Sequence, residues 1–278
     1  MIFVFSCRFH KLDMQLAINY NSLLAVIIIL HYCSCVTACN PDGEEHLTLI
    51  KSLEQSGFLK TQAAKISMAG VDRACFINEE PYENKSKSVN VGRHPSSVIF
   101  PAPYIHAMIL DALGDGIKKA SHALVVEQGI GYMTACTVLM TGRDGVTVSA
   151  QPTGDLFSNA SLNFKKWLQH SKRTYTYGIE VGRQIGFVTY DNHEAKFSNA
   201  KYNAIFVREE RESDVDRWIK HLKTGGRMVC LVGPTEGEQE LYQLDLLTDF
   251  LQKKILMTFK NFVPIATRPK EEVVIKPR

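Results

Sequence analysis

Neither sign of charge is concentrated anywhere in this 278-residue chain. Its 32 Lys and Arg and 29 Asp and Glu are interspersed, for a formal net charge of +3. No basic block marks a nucleic-acid footprint and no acidic tail marks a disordered solvating region, so nucleic acid is not an expected partner. No CxxC pair and no His/Cys cluster has metal-ligand spacing, so no metal is expected. No uninterrupted apolar run approaches the roughly 20 residues that cross a bilayer comfortably. Repeats and Gly/Ser-rich linkers are absent too. With 45% hydrophobic residues, the chain has the composition of a single large domain with a full core.

The N-terminus departs from that uniformity. Arg8 and Lys11 precede the apolar run Leu23–Leu30, and the small residues Val36 and Ala38 stand at −3 and −1 of a cut before Cys39. This is the three-part layout of a secretory signal. An uncleaved anchor, which would be the chain's one membrane contact, and a misassigned start (Met14 in place of Met1) are the competing readings. Val36-Thr37-Ala38-Cys39 also resembles a bacterial lipoprotein cut site, a minor option. The expected layout is a signal or anchor over 1–38, a single domain over 39–267 and a loose tail over 268–278. After such a cut four cysteines remain, Cys39, Cys75, Cys136 and Cys230, which allow three pairings. Cys136 and Cys230 fall in apolar segments and read as free core thiols. Two glycosylation sequons, Asn84-Lys85-Ser86 and Asn159-Ala160-Ser161, gain meaning only from the signal.

Periodicity places the elements. Glu44–Gly57 and Thr61–Ala69 read as helices, Cys75–Ser97 as a long ordered loop, and Pro101–Leu113 as a helix opened by prolines. From Ala123 strands and helices alternate: strands Ala123–Val126, Val146–Ala150, Ile185–Tyr190, Ala204–Val207 and Arg227–Val232, with helices Tyr132–Met140, Asp155–His170 and Asp214–Lys223. Glu240–Thr248 and Lys254–Phe259 read as late strands. Such alternation implies an α/β fold with a doubly wound, mostly parallel sheet. At Ala123–Ala135 an apolar strand runs through Gly129 and Gly131 into a helix, the strand–turn–helix that brings backbone N–H groups close to a nucleotide-like ligand. The turn nevertheless opens with Glu127-Gln128 where a first glycine is expected. The next strand ends in Ala150-Gln151 with no acid.

The ordered set Val71-Asp72-Arg73, Pro81-Tyr82, Gly92, Ala102-Pro103-Tyr104-Ile105-His106-Ala107, Ala123-Leu124-Val125-Val126 with Gly129 and Gly131, Tyr202-Asn203-Ala204-Ile205, Leu222-Lys223-Thr224-Gly225-Gly226-Arg227, Leu231-Val232-Gly233-Pro234 and Val263-Pro264-Ile265-Ala266-Thr267 resembles the protein-L-isoaspartate (D-aspartate) O-methyltransferases. The blocks span about Glu44 to Thr267. The resemblance implies a Rossmann-like methyltransferase fold, S-adenosylmethionine as cofactor, and methylation of isoaspartyl carboxylates in damaged polypeptides. It also implies a monomer, cytoplasmic in the family but extracellular here if the signal is real. Because a carboxylate is already a nucleophile, catalysis in the family is chiefly alignment with the sulfonium methyl group.

The resemblance assigns cofactor contacts to Glu127, Gly129, Gly131, Ala150, Gln151, Asp191, Asn192 and Thr267, and substrate contacts to Ala102 and Tyr104. Pro101 stands at the family's serine hydroxyl position and His106 at its retained histidine. The departures are specific. Glu127 replaces a glycine, Ala150 replaces the ribose-binding acid, and Pro101 offers neither hydroxyl nor N–H. Tyr104 replaces a histidine, Asn192 flanks Asp191 in place of glycine, and Arg208–Glu212 puts a charge run where small residues leave room for a peptide. Glu127, if its position requires positive φ, is a source of strain. Its carboxylate otherwise meets the donor's cationic groups or occupies its space, with Gln151 as a neutral substitute on the ribose. Two functions follow: an isoaspartyl methyltransferase with an eroded site, or an inactive secreted relative that serves as a binding module. A different small ligand in the remodelled pocket is a third.

Overall fold

The computed structural model describes residues 39–91, 97–114, 116–118, 120–171, 173–176, 178–190, 200–209, 211–234, 236–248, 250–266 and 272–275, without the side chains of 173–174 and 263–275. Among them no helix is long and apolar enough to cross a membrane. Helix α1 (Glu44–Gln55) buries His46, Leu49, Ile50 and Leu53 along one face, and its first-turn acids Glu44 and Glu45 complement the positive helix end. Helix α2 (Gln62–Gly70) is capped by Thr61, whose side chain accepts the Ala64 N–H. A helical turn at Arg73–Cys75 follows. The expected long loop after Cys75 is partly regular: β1 (Lys87–Val89) pairs antiparallel with β2 (Val98–Phe100). Pro103 opens α3 (Pro103–Gly114).

The doubly wound part follows as β3 (His122–Val126), α4 (Tyr132–Thr141), β4 (Val146–Gln151), α5 (Gly154–His170), the short α6 (Arg173–Thr176), β5 (Ile185–Thr189), β6 (Tyr202–Glu209), α7 (Asp216–Ile219) and β7 (Leu222–Val232). The strands lie in the order β5-β4-β3-β6-β7, all parallel. Strands β8 (Glu238–Leu246) and β9 (Leu251–Lys260) extend the sheet antiparallel, and β10 (Val263–Ala266) and β11 (Glu272–Ile275) both pair with β9. This is the expected Rossmann-like α/β methyltransferase architecture. Alternate strand residues serve opposite faces: Ala123 and Val125 join the core under α1–α5, while Leu124 and Val126 join Ala150, Val207 and Trp218 in a second core.

Two further expectations are corrected. The helix over 214–223 is one turn, α7, because Leu222-Lys223 already pairs as strand and Gly225, at φ +76, sits within β7 and does not end a helix. The tail is not wholly loose, since 272–275 adds a strand to β9. Cys39 and Cys75 form a disulfide, which selects one pairing and leaves Cys136 and Cys230 as buried free thiols. The presumed signal, residues 1–38, lies outside the described residues.

Candidate active site

Sheet register decides which residues meet. Val126 of β3 pairs with Ala150 of β4 on one side and Val207 of β6 on the other, so Glu127, Gln151 and Arg208 follow one step later at the same carboxyl edge. Strand order reverses between β3 and β6, and this crevice is where open α/β sheets bind ligands.

The crevice is filled from within. Glu127 and Gln151 are buried. The Gln151 Oε1 accepts the Gly129 N–H at 2.6 Å, and its Nε2 donates to Ser149 Oγ at 2.9 Å. The Glu127 carboxylate accepts the Thr134 hydroxyl and the backbone N–H groups of Gly131 and Thr134. It occupies the anion position that a turn and helix N-terminus offer a ligand. Burial raises its pKa to about 7, against the lowering effect of those donors. The strain expected at Glu127 is absent: positive φ falls on Gly129 (+80°) and Gly131 (+87°), not on residue 127.

The two glycines face helix α5. A Cβ on Gly129 would stand 2.5 Å from Leu156 Cδ2, and one on Gly131 would stand 2.8 Å from the Ala160 carbonyl oxygen. Asn159 Nδ2 donates to Gly129 O at 2.6 Å, and Asn163 Nδ2 to Ile130 O at 2.9 Å. Ala150 is fully buried in the second apolar core. Beside the turn a cavity of about 20 Å³ remains, lined in part by Pro101, His106, Glu127, Tyr132 and Arg208.

The neighbouring region around Arg73 and His106 is equally enclosed. The buried Arg73 guanidinium lies 4.1 Å from the Phe100 ring centroid, a cation–π contact. It donates to the carbonyls of Pro81 (2.9 Å) and Pro101 (3.1 Å) and pairs with His106 Nδ1 at 2.8 Å. Burial pulls the Arg73 pKa down to about 10, so it stays charged, and burial with that neighbouring charge drives His106 well below the imidazole range. Neutral His106 therefore accepts from Arg73 and is 2% exposed. Ala102 N–H donates to Ser86 Oγ at 3.0 Å, Tyr104 N–H to Asn84 Oδ1 at 3.1 Å, and the Tyr104 hydroxyl to Phe262 O at 3.2 Å.

The charge run that begins at the end of β6 is not simply solvated. Arg208 is buried, donates to Ile99 O and lies over the Phe262 ring. Glu209 accepts from Arg217 (2.6 Å) and Trp218 Nε1 (2.9 Å), and Glu212 from Tyr242 (2.8 Å) and Lys253 (3.0 Å). Asp191, Asn192 and Thr267 lie outside the described residues. Thus Glu127, Gly129, Gly131 and Gln151 meet in one network, Pro101 and His106 meet through Arg73, and Tyr104 is tied elsewhere. In the sequence Arg73 stands out only as part of a family block and Asn159 only as a sequon, and nothing marks Asn163, Leu156 or Thr134 as site residues beyond the spacing that faces α5 and α4 toward the turn.

Residues 44–270 match the family profile of protein-L-isoaspartate (D-aspartate) O-methyltransferase. A Caenorhabditis elegans protein-L-isoaspartate O-methyltransferase is 28% identical over 234 residues, covering 84% of this chain and 98% of its own length. One from Triticum aestivum is 27% identical over 227 residues, covering 81% and 93%. A Plasmodium falciparum structure, described as a protein-L-isoaspartate O-methyltransferase in complex with S-adenosyl-L-homocysteine, superposes with TM-score 0.60 at 19% identity, covering 83% and 94%. A second protein-L-isoaspartate O-methyltransferase structure gives TM-score 0.61 at 18% identity, covering 78% of this chain and 67% of that one. With the family profile matched over residues 44–270, most of its length, this chain belongs to the protein-L-isoaspartate (D-aspartate) O-methyltransferase family.

Proposed function

We propose that this chain is a secreted family member that has ceased to transfer methyl groups and works as an interaction module. S-Adenosylmethionine is the methyl donor that family and fold imply. The residues present do not fit it, and one observation carries this reading: the side chains of Glu127 and Gln151 already hold the N–H groups of Gly129, Gly131 and Thr134. About 20 Å³ remains beside them, room for one water, whereas sites for small molecules and cofactors take roughly 300 Å³ or more. Ala150 presents no carboxylate for a ribose, and Pro101 no hydroxyl for a substrate.

One observation supports secretion: the Cys39–Cys75 disulfide suits an oxidising compartment. Incubation of the purified chain with isotope-labelled S-adenosylmethionine and an isoaspartyl peptide is expected to leave the peptide unlabelled. N-terminal sequencing of extracellular protein is expected to start at Cys39. A labelled peptide ester formed with turnover would overturn the inactive reading, and intact cytosolic protein beginning at Met1 or Met14 would overturn the secretory one.

One observation favours the second reading, family-type methyl transfer. The strand–turn–helix is intact, with Gly129 and Gly131 both in the left-handed conformation. In that case Glu127 and Gln151 swing off the turn to admit the donor, and the labelled ester appears.

A further inference from the structure

The two sequons stand in opposite surroundings. Asn159 sits in α5 on the face that covers the glycine turn. Its Nδ2, the atom a glycan would occupy, donates to Gly129 O at 2.6 Å, between Leu156 and Ala160, which close on Gly129 and Gly131. A sugar on that nitrogen and the packing of α5 on the turn exclude each other.

Asn84 lies outside helix and strand, before β1, and is exposed. Its Oδ1 accepts the Tyr104 N–H at 3.1 Å, and no hydrogen bond of its Nδ2 occurs among the described residues. Because the amide carbon is planar, holding Oδ1 on Tyr104 turns Nδ2 to the other side. A sugar there leaves the Oδ1 bond untouched. Ser86, the hydroxyl of the same sequon, accepts the Ala102 N–H through Oγ at 3.0 Å. This sequon thus brackets the segment 101–104, which carries the Pro101, Ala102 and Tyr104 positions.

We propose that Asn84 carries an N-linked glycan and Asn159 does not, so that sugar stands at the edge of the segment where the family meets its polypeptide substrate. The proposal rests on the secretory part of the reading above. In the transfer, Asn84 Nδ2 forms a bond to the anomeric carbon of a lipid-diphosphate-linked oligosaccharide. The carbon–oxygen bond to the diphosphate breaks, the lipid diphosphate leaves with the electron pair, and the amide gives up one proton. Surface loops of secreted chains are where such acceptors lie.

The test expresses the full chain, with its own N-terminal segment, in cultured eukaryotic secretory cells. The secreted protein is mapped by mass spectrometry before and after peptide N-glycosidase, which converts a glycosylated Asn to Asp. Expected are one glycan, conversion at residue 84 and none at 159. Asn84→Gln removes the mass shift, while Asn159→Gln and the sequon-preserving Ser86→Thr retain it. Secreted protein bare at Asn84, or occupied at Asn159, overturns this proposal and leaves the secretory reading intact. Retention in the cytosol with an uncut N-terminus overturns both.

Discussion

Glu127 is the residue that most distinguishes this site. A carboxyl raised from 4.5 to about 7 holds its proton more tightly in the folded chain than in the unfolded one. Its contribution is therefore neutral below about pH 4.5, where both states are protonated, and turns unfavourable as pH climbs to 7. Above 7 it levels off at a cost of about 3 kcal/mol. Glu127→Gln is expected to remove that slope and to raise stability at pH 8 by an amount of that order. Urea unfolding at pH 5 and pH 8 checks it, and equal gains at both pH values would contradict the assignment. Arg73 has the opposite character, a buried cation satisfied by two carbonyls, an imidazole nitrogen and an aromatic face. Arg73→Met strands those acceptors in the core and is expected to cost about 3 kcal/mol or more, read by the same unfolding curves. Charge in the chain was easy to count, but the burial that gives Glu127 and Arg73 their properties depends on partners far along the sequence.

Among the elements, the strand–turn–helix and α5 form one packed unit. The sequence made the turn legible through Gly129 and Gly131, and the alternating pattern made β3, α4, β4 and α5 legible with end shifts of at most one residue. It did not reveal what the glycines face. Gly129 and Gly131 are required by Leu156 and the Ala160 carbonyl, a tertiary contact about 30 residues away that local pattern cannot express. Gly131→Ala combines a left-handed residue with a backbone clash and is expected to destabilise the ligand-free protein by about 2–4 kcal/mol in thermal or denaturant melts. A variant as stable as the parent would mean that the glycine is kept for a ligand alone. The overlong helix read at 214–223 has a similar cause. Trp218 and Leu222 have helical spacing, yet Leu222 is taken by β6 and the segment becomes strand. Sheet pairing overrides local preference there.

For the whole molecule, the family and its mostly parallel sheet were legible from blocks of residues in sequence order and from the alternation of strands and helices. The cysteine pairing was not legible, since spacing alone allows three choices. The Cys39–Cys75 bond closes a loop with a sequence separation of 36 and ties the start of the domain to the segment that carries Arg73. The double variant Cys39→Ser/Cys75→Ser is expected to lose about 4 kcal/mol of stability, measured by denaturant unfolding under matched conditions. An unchanged midpoint would show the tether to be dispensable.

The central claim is that this methyltransferase scaffold has closed its donor crevice with its own side chains. Titration calorimetry with S-adenosylmethionine tests it most directly. No heat of binding is expected for the purified chain at millimolar donor, with binding heat regained in the Glu127→Gly/Ala150→Asp variant. Micromolar binding by the unaltered chain would contradict the claim.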